Sequence, residues 1–326
     1  MRLTDTYNRI HRDLRVSLTD RCWLRCTYCM PADGLPWLPR DQMLSTPELL
    51  RLVRIAVELG VRSVRLTGGE PLLRPDVVDV VAGVAATGVE VSMTTNALRL
   101  PELAMPLRDA GLQRVNISLD SIDRQTFLAL TKRDRLVQTL AGVRAAQVAG
   151  LKPVKINAVL LRGVNDHEAP DLLRWAIGEG VQLRFIEQMP LDPQHGWRRD
   201  EMVTAAEILA SLRDAGFRLL PVTERSNAPA NLWDVNGGLA RVGIVASVTQ
   251  PFCATCDRLR LTADGQWRNC LFARDETDLR TPLREGAADE QLAASMIAGV
   301  RAKRAGHGID DPTFLQPPRP MSSIGG

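Results

Sequence analysis

The sequence predicts an α/β fold: an incomplete TIM-type barrel of about six βα units, with a smaller C-terminal α+β domain capping its open side. Three observations lead there. Short β-rich runs alternate with longer helical ones as far as Glu187. Glycines close the helical runs (Gly60, Gly88, Gly111, Gly150, Gly180), where a left-handed stop is favoured. Polar residues collect at the ends of the β-rich runs, where a barrel carries its functional groups. Repetition of strand and helix in this way implies a parallel sheet with right-handed crossovers.

The elements follow in order. A strand over 14–18 leads into a loop containing Pro31, Pro36 and Pro39. Ser45-Thr46-Pro47-Glu48 is a capping box with proline in the first turn, and Leu49, Leu52, Val53, Ala56 and Val57 form one apolar helical face. A strand over 63–66 runs into the turn Thr67-Gly68-Gly69-Glu70-Pro71. Helices are expected over 76–86, 102–110, 125–130, 137–149 and 170–179, and strands over 90–95, 114–119, 154–160 and 182–187. Beyond these the pattern changes in kind, to a helix over 203–215 and β-like runs over 217–223 and 242–248. The domain boundary is therefore expected between 1–220 and 221–326.

Composition excludes several classes. The 326 residues are 45% hydrophobic and 24% charged, with a net charge of +3, ordinary for a soluble globular protein. So small a charge argues against nucleic acid or a membrane surface as partner. The run Val77–Val84 is too short and interrupted to span a bilayer. The first twenty residues lack an apolar core of signal-peptide length. A cytoplasmic location follows as the expectation, with the six cysteines in a reducing compartment where metal or catalytic roles outweigh disulfides.

Those cysteines form two trios. Cys22, Cys26 and Cys29 stand at C-x3-C-x2-C; Cys253, Cys256 and Cys270 form a second set of three. Four thiolates would complete a zinc site or saturate an iron–sulfur cluster, whereas three leave one iron of a 4Fe-4S cluster free. A zinc knuckle with a distant fourth ligand stays open for the first trio. A zinc ribbon would need another ligand near Cys270 that the sequence lacks. Arg258 and Arg260 alternate on a strand within the second trio, so both face one way, toward an anion or toward solvent.

At the strand ends stand Gly68-Gly69-Glu70, Thr94-Thr95-Asn96, Asn116 with Ser118 and Asp120, Lys155 with Asn157, and Arg184 with Glu187 and Met189. Such groups are costly to bury unless they bind something or pair internally. The four histidines (His11, His167, His195, His307) fall at no ligand spacing and read as surface residues, and Trp175 reads as core.

The first trio, with Tyr28 before its last cysteine, followed by Gly68-Gly69-Glu70-Pro71, resembles the radical S-adenosylmethionine (SAM) superfamily. The second trio, Arg258-Leu259-Arg260, the opening run Leu14–Cys22 and the terminal Gly325-Gly326 narrow the resemblance, nearly end to end, to the GTP 3′,8-cyclase family of molybdenum cofactor biosynthesis. The resemblance implies that Cys22, Cys26 and Cys29 hold the 4Fe-4S cluster that cleaves SAM to a 5′-deoxyadenosyl radical. Tyr28, Gly69, Glu70, Ser118 and Met189 would line the SAM site. Cys253, Cys256 and Cys270 would hold an auxiliary 4Fe-4S cluster that anchors guanine. Arg15, Arg65, Thr94, Lys155, Arg184, Arg258, Leu259 and Arg260 would surround GTP, whose ribose C3′ loses a hydrogen and joins guanine C8. Gly325 and Gly326 would reach into the active site and assist catalysis. An electron donor and the next enzyme of the pathway are the implied partners, with monomer and homodimer both open.

Two departures stand out. Ala97 occupies a position where the family often has glycine, and Ser63 one that is lysine in some members, which would remove a phosphate contact. Two rival readings remain: another radical SAM enzyme with an auxiliary cluster, such as a peptide maturase, and a non-enzymatic zinc protein that binds nucleic acid.

Overall fold

The computed structural model describes residues 2–223 and 228–325. Its core is a twelve-stranded sheet. Six strands alternate with helices through the first part of the chain: β1 (Asp13–Ser17), α1 (Thr46–Glu58), β2 (Ser63–Thr67), α2 (Val77–Ala85), β3 (Glu90–Thr95), α3 (Leu100–Asp109), β4 (Arg114–Ser118), α4 (Arg124–Thr131), α5 (Leu136–Val148), β5 (Val154–Val159), α6 (Ala169–Glu179) and β6 (Gln182–Ile186). They pair in sequence order and in parallel.

The rest of the chain extends this sheet at both edges. After α7 (Ala205–Asp214) come β7 (Leu219–Pro221), β8 (Asn231–Val235) and β9 (Ala240–Val245), with β9 lying parallel beside β6. Next come β10 (Arg258–Leu261), β11 (Gln266–Arg268) and β12 (Thr277–Asp278), with β10 parallel beside β1. The strand order is β12-β11-β10-β1-β2-β3-β4-β5-β6-β9-β8-β7. Three short or medium helices complete the chain: α8 (Arg280–Arg284), α9 (Asp289–Arg301) and α10 (Met321–Ile324).

Alternation within the strands decides which side is greasy and which is chemical. In β2, Val64 and Leu66 are fully buried in the main apolar core, while Ser63, Arg65 and Thr67 point the other way. The expected capping box forms: Glu48 N–H donates to Ser45 Oγ and Ser45 N–H to Glu48 Oε2. Arg284 also binds Glu48, at 2.7 Å, tying α8 to α1.

The backbone at Ala97 shows why glycine suits this position. Its φ is +65°, a left-handed conformation that costs a residue with a Cβ about 1–2 kcal/mol. The turn it makes carries Asn96 and is backed by Gly142 of α5, where an added Cβ would run into the Ala97 carbonyl oxygen. Gly142→Ala is therefore expected to destabilise the fold by about 2 kcal/mol, read as a lowered midpoint in denaturant with an unchanged slope.

Candidate active site

The first cysteine trio lies in the loop after β1, folded back on itself by Cys29 N–H and Met30 N–H, which both donate to the Cys26 carbonyl at 2.8 and 2.9 Å. Arg25 N–H and Thr27 N–H donate to Thr131 and Leu130 at the end of α4, fixing the loop to the scaffold. Cys22, Cys26 and Cys29 line a cavity of about 140 Å³ together with Gly68, Gly69, Glu70, Ser118, Met321 and Ser322. Gly68 has a φ of +138°, and a Cβ at Gly69 would collide with the carbonyls of Asp20 and Arg21. Only glycine lets this turn lie against the cysteine loop.

Burial governs the thiols. Burial and the nearby Glu70 push Cys22 up to about 11, burial and Cys22 push Cys29 up to about 12, and burial with Asp120 pushes Cys26 well above the usual thiol range. They stay protonated until a metal takes them, so loading releases protons. Asn96 Nδ2 approaches Cys22 Sγ at 3.8 Å. Among the described residues, no three His, Cys, Asp or Glu side chains converge as ligands of one ion do. A cubane makes no such demand, because each thiolate takes a different iron. Glu70, pushed up to about 7 by burial, accepts from Thr95 Oγ1 and Asn96 N–H at 2.7 Å and Leu72 N–H at 3.0 Å.

A second cavity, of about 230 Å³, adjoins the first, and Tyr28, Thr94, Ser118 and Met321 line both. Tyr28 Oη donates to Asp120 Oδ2 at 2.7 Å. Its lining includes Cys253, Cys256 and Cys270, the sheet residues Arg15, Arg65, Arg184, Arg258 and Arg260, and Met189 beyond β6; Arg258 lies close enough to Cys256 to lower its thiol. Pairing register stacks these cations: Arg15 lies beside Arg65 on one side and Arg260 on the other. Burial, then mutual repulsion, drives Arg15 well below its usual value and Arg260 and Arg184 down to about 10. The Nε of Arg15, the Nε of Arg184 and Nη2 of Arg258 are buried without a partner. Crowded guanidiniums with idle donors fit a polyanion.

Two candidates stand apart from this cavity. Lys155, partly buried on β5, lines neither cavity, and burial with the nearby Arg184 lowers it to about 7. Leu259 is fully buried in the apolar core, so only its backbone is available to a ligand. Ser63 lies beside Asp13, 3.4 Å away, at the entry of β2 and outside the cavity lining.

The C-terminal tail enters this centre. Ser17 Oγ donates to the Ile324 carbonyl at 2.9 Å, and Arg260 Nη1 donates to the Gly325 carbonyl. Gly325 has a φ of +83°, and a Cβ there would strike Ser17 and Thr67. Gly326 lies outside the described residues. Arg319 anchors the approach, with Nη1 and Nη2 on Asp264 at 3.0 and 2.8 Å.

Two of the four histidines are not surface residues. His11 is 0% exposed and bonds to Asp5 Oδ2 at 3.1 Å; burial and Lys303 lower it to about 4, so the ring is neutral. His307 lines the larger cavity and lies 3.0 Å from the Ser247 carbonyl. Trp175 packs on the core as expected. Sequence reasoning also missed Lys303, whose Nζ lies 3.7 Å from Cys256 Sγ. Burial raises Cys256, and the Arg258 and Lys303 charges more than offset it, so its net shift is downward.

The three-cysteine loop and its glycine turn on this sheet define a radical SAM protein. The Radical SAM superfamily description matches residues 16–176, and Molybdenum Cofactor Synthesis C matches 181–309. The chain belongs to the GTP 3′,8-cyclase family. It is 57% identical to the GTP 3′,8-cyclase of Streptomyces coelicolor over 99% of this chain and 96% of that one. It is 56% identical to that of Corynebacterium glutamicum over 99% and 89%. Among solved structures it resembles Streptococcus suis SuiB bound to S-adenosylmethionine, with a TM-score of 0.61 at 14% identity over 91% of this chain and 68% of that one. That likeness concerns the fold alone. No helix among the described residues is long and apolar enough to cross a membrane.

Proposed function

We propose that this chain converts GTP to (8S)-3′,8-cyclo-7,8-dihydroguanosine 5′-triphosphate, the first step of molybdenum cofactor biosynthesis. One observation carries the reading: two cysteine trios line adjoining cavities, and guanidiniums with idle buried donors line the larger of them. In this reading Cys22, Cys26 and Cys29 hold the first 4Fe-4S cluster. Loaded with SAM and given one electron by an external donor, that site would supply reductive cleavage of SAM to methionine and a 5′-deoxyadenosyl radical, the species that would take the hydrogen from ribose C3′. Gly69 brings backbone against SAM; Glu70, Tyr28, Ser118 and Met189 orient it.

Cys253, Cys256 and Cys270 hold the auxiliary 4Fe-4S cluster beside guanine. Arg15, Arg65, Thr94, Lys155, Arg184, Arg258 and Arg260 surround GTP, several of them neutralising its triphosphate. Gly325, held by Arg260, helps close the site against water, which a carbon radical requires, and the Gly325-Gly326 tail assists the chemistry. A single cavity lined from β1 through β6 and by β9 and β10 supports a sheet curled into an incomplete TIM-type barrel of about six units. We keep 1–220 as the barrel domain and 221–326 as the domain carrying the auxiliary cluster and tail. A cytoplasmic location, an external electron donor and hand-over to the next pathway enzyme complete the reading. A peptide maturase is not favoured, since the peptide-related likeness is one of fold at 14% identity against 57% for the cyclases.

Anaerobic iron and sulfide analysis tests the two-cluster arrangement. Reconstituted protein is expected to hold about eight irons, and a Cys253→Ser/Cys256→Ser/Cys270→Ser variant about four. Zinc in place of iron, or four irons in both proteins, removes the auxiliary cluster and the proposal with it.

A further inference from the structure

Lys303 follows α9 and is 5% exposed. A buried lysine is costly unless something answers its charge. Its Nζ reaches four acceptors: the Arg258 carbonyl at 2.9 Å, the Cys256 carbonyl at 3.5 Å, His11 Nδ1 at 3.5 Å and Cys256 Sγ at 3.7 Å. Three of these are neutral. The fourth becomes an anion when Cys256 ligates metal.

Lys303 is also aimed from outside the cavity. His11 Nε2 bonds to Asp5 Oδ2 at 3.1 Å, which assigns the ring proton to Nε2 and leaves Nδ1 to accept from the lysine. Asp5 in turn holds Arg9 Nε at 2.6 Å, and Arg9 Nη1 donates to the Cys253 carbonyl at 2.7 Å. Residues 5–11 thus brace both cysteines of the Cys253–Cys256 turn.

We propose that Lys303, oriented by His11 and Asp5, is a positioning residue that donates a charged hydrogen bond to Cys256 Sγ and raises the reduction potential of the auxiliary cluster. The proposal rests on the reading that the second trio holds such a cluster. A hydrogen bond and a positive charge at a ligating sulfur favour the reduced, more negative state. Activity need not report this. The potential does.

The test is a reductive titration of the full-length, reconstituted protein followed by electron paramagnetic resonance. A Cys22→Ala/Cys26→Ala/Cys29→Ala variant identifies which midpoint belongs to the auxiliary cluster. Lys303→Met is expected to disfavour its reduction at least tenfold, about 59 mV for a one-electron couple. Lys303→Arg should restore more than half of that shift, and His11→Leu should move the midpoint the same way by at least threefold. Unchanged midpoints in Lys303→Met and His11→Leu, with iron retained, overturn the proposal. Should Lys303→Met fail to hold iron, His11→Leu, which keeps the lysine, decides alone. A parent protein with only four irons is instead a failure of the two-cluster reading.

Discussion

Arg260→Ala is expected to lower GTP turnover by two to four orders of magnitude while leaving the iron content unchanged. Arg260 is 4% exposed, lies beside Arg15 in the sheet, and binds the Gly325 carbonyl. In the proposed reading alanine removes a triphosphate donor, and it strands that carbonyl. Charged hydrogen bonds contribute about 1.5–3 kcal/mol each, so losing two corresponds to about 3–6 kcal/mol, or a factor of about 10² to 10⁴. Steady-state kinetics should show a raised KM for GTP from the phosphate contact and a lowered kcat from the tail. Arg260→Lys, which keeps charge but loses the fork, should recover KM more than kcat. An unchanged kcat/KM with full iron would contradict both assignments.

Removal of Gly325 and Gly326 carries the second large effect. The chain is pinned just before them by Ser17 on Ile324 and by Arg319 on Asp264, so a protein ending at Ile324 should fold and load iron normally. It should lose cyclised product by at least about a hundredfold, the scale of removing one preorganised polar contact from a reacting site. Uncoupled SAM cleavage should persist. The double variant with Arg260→Ala should lose less than the product of the two single losses, because both changes act through the same contact. Full multiplicative loss would place the tail's role elsewhere.

The sequence revealed what local spacing encodes. Both cysteine trios, the Gly68-Gly69 turn and the alternation of Arg258 and Arg260 are short-range patterns, and the structure puts each at a cavity wall. The β1–β6 alternation was equally legible because β2 to β6 each follow a helix and the glycine that ends it. What stayed hidden depends on distant partners. His11 and Lys303 meet across 292 positions, and nothing near either residue announces the other. The route of the C-terminal strands to both edges of the sheet is equally non-local. Other misses had signals. Asn236 and Gly237, both at positive φ, mark the β8–β9 hairpin. Acidic Asp289 and Glu290 with Arg301 at the far end mark α9.

The central claim, that the two cavities bring SAM and GTP ribose together, is tested most directly with GTP deuterated at C3′. Incubation under reduction with SAM and the reconstituted protein should give 5′-deoxyadenosine carrying one deuterium by mass spectrometry. The 3′,8-cyclised nucleotide should form in step with it. Unlabelled 5′-deoxyadenosine alongside cyclised product, or cleavage of SAM that ignores GTP altogether, would contradict the account.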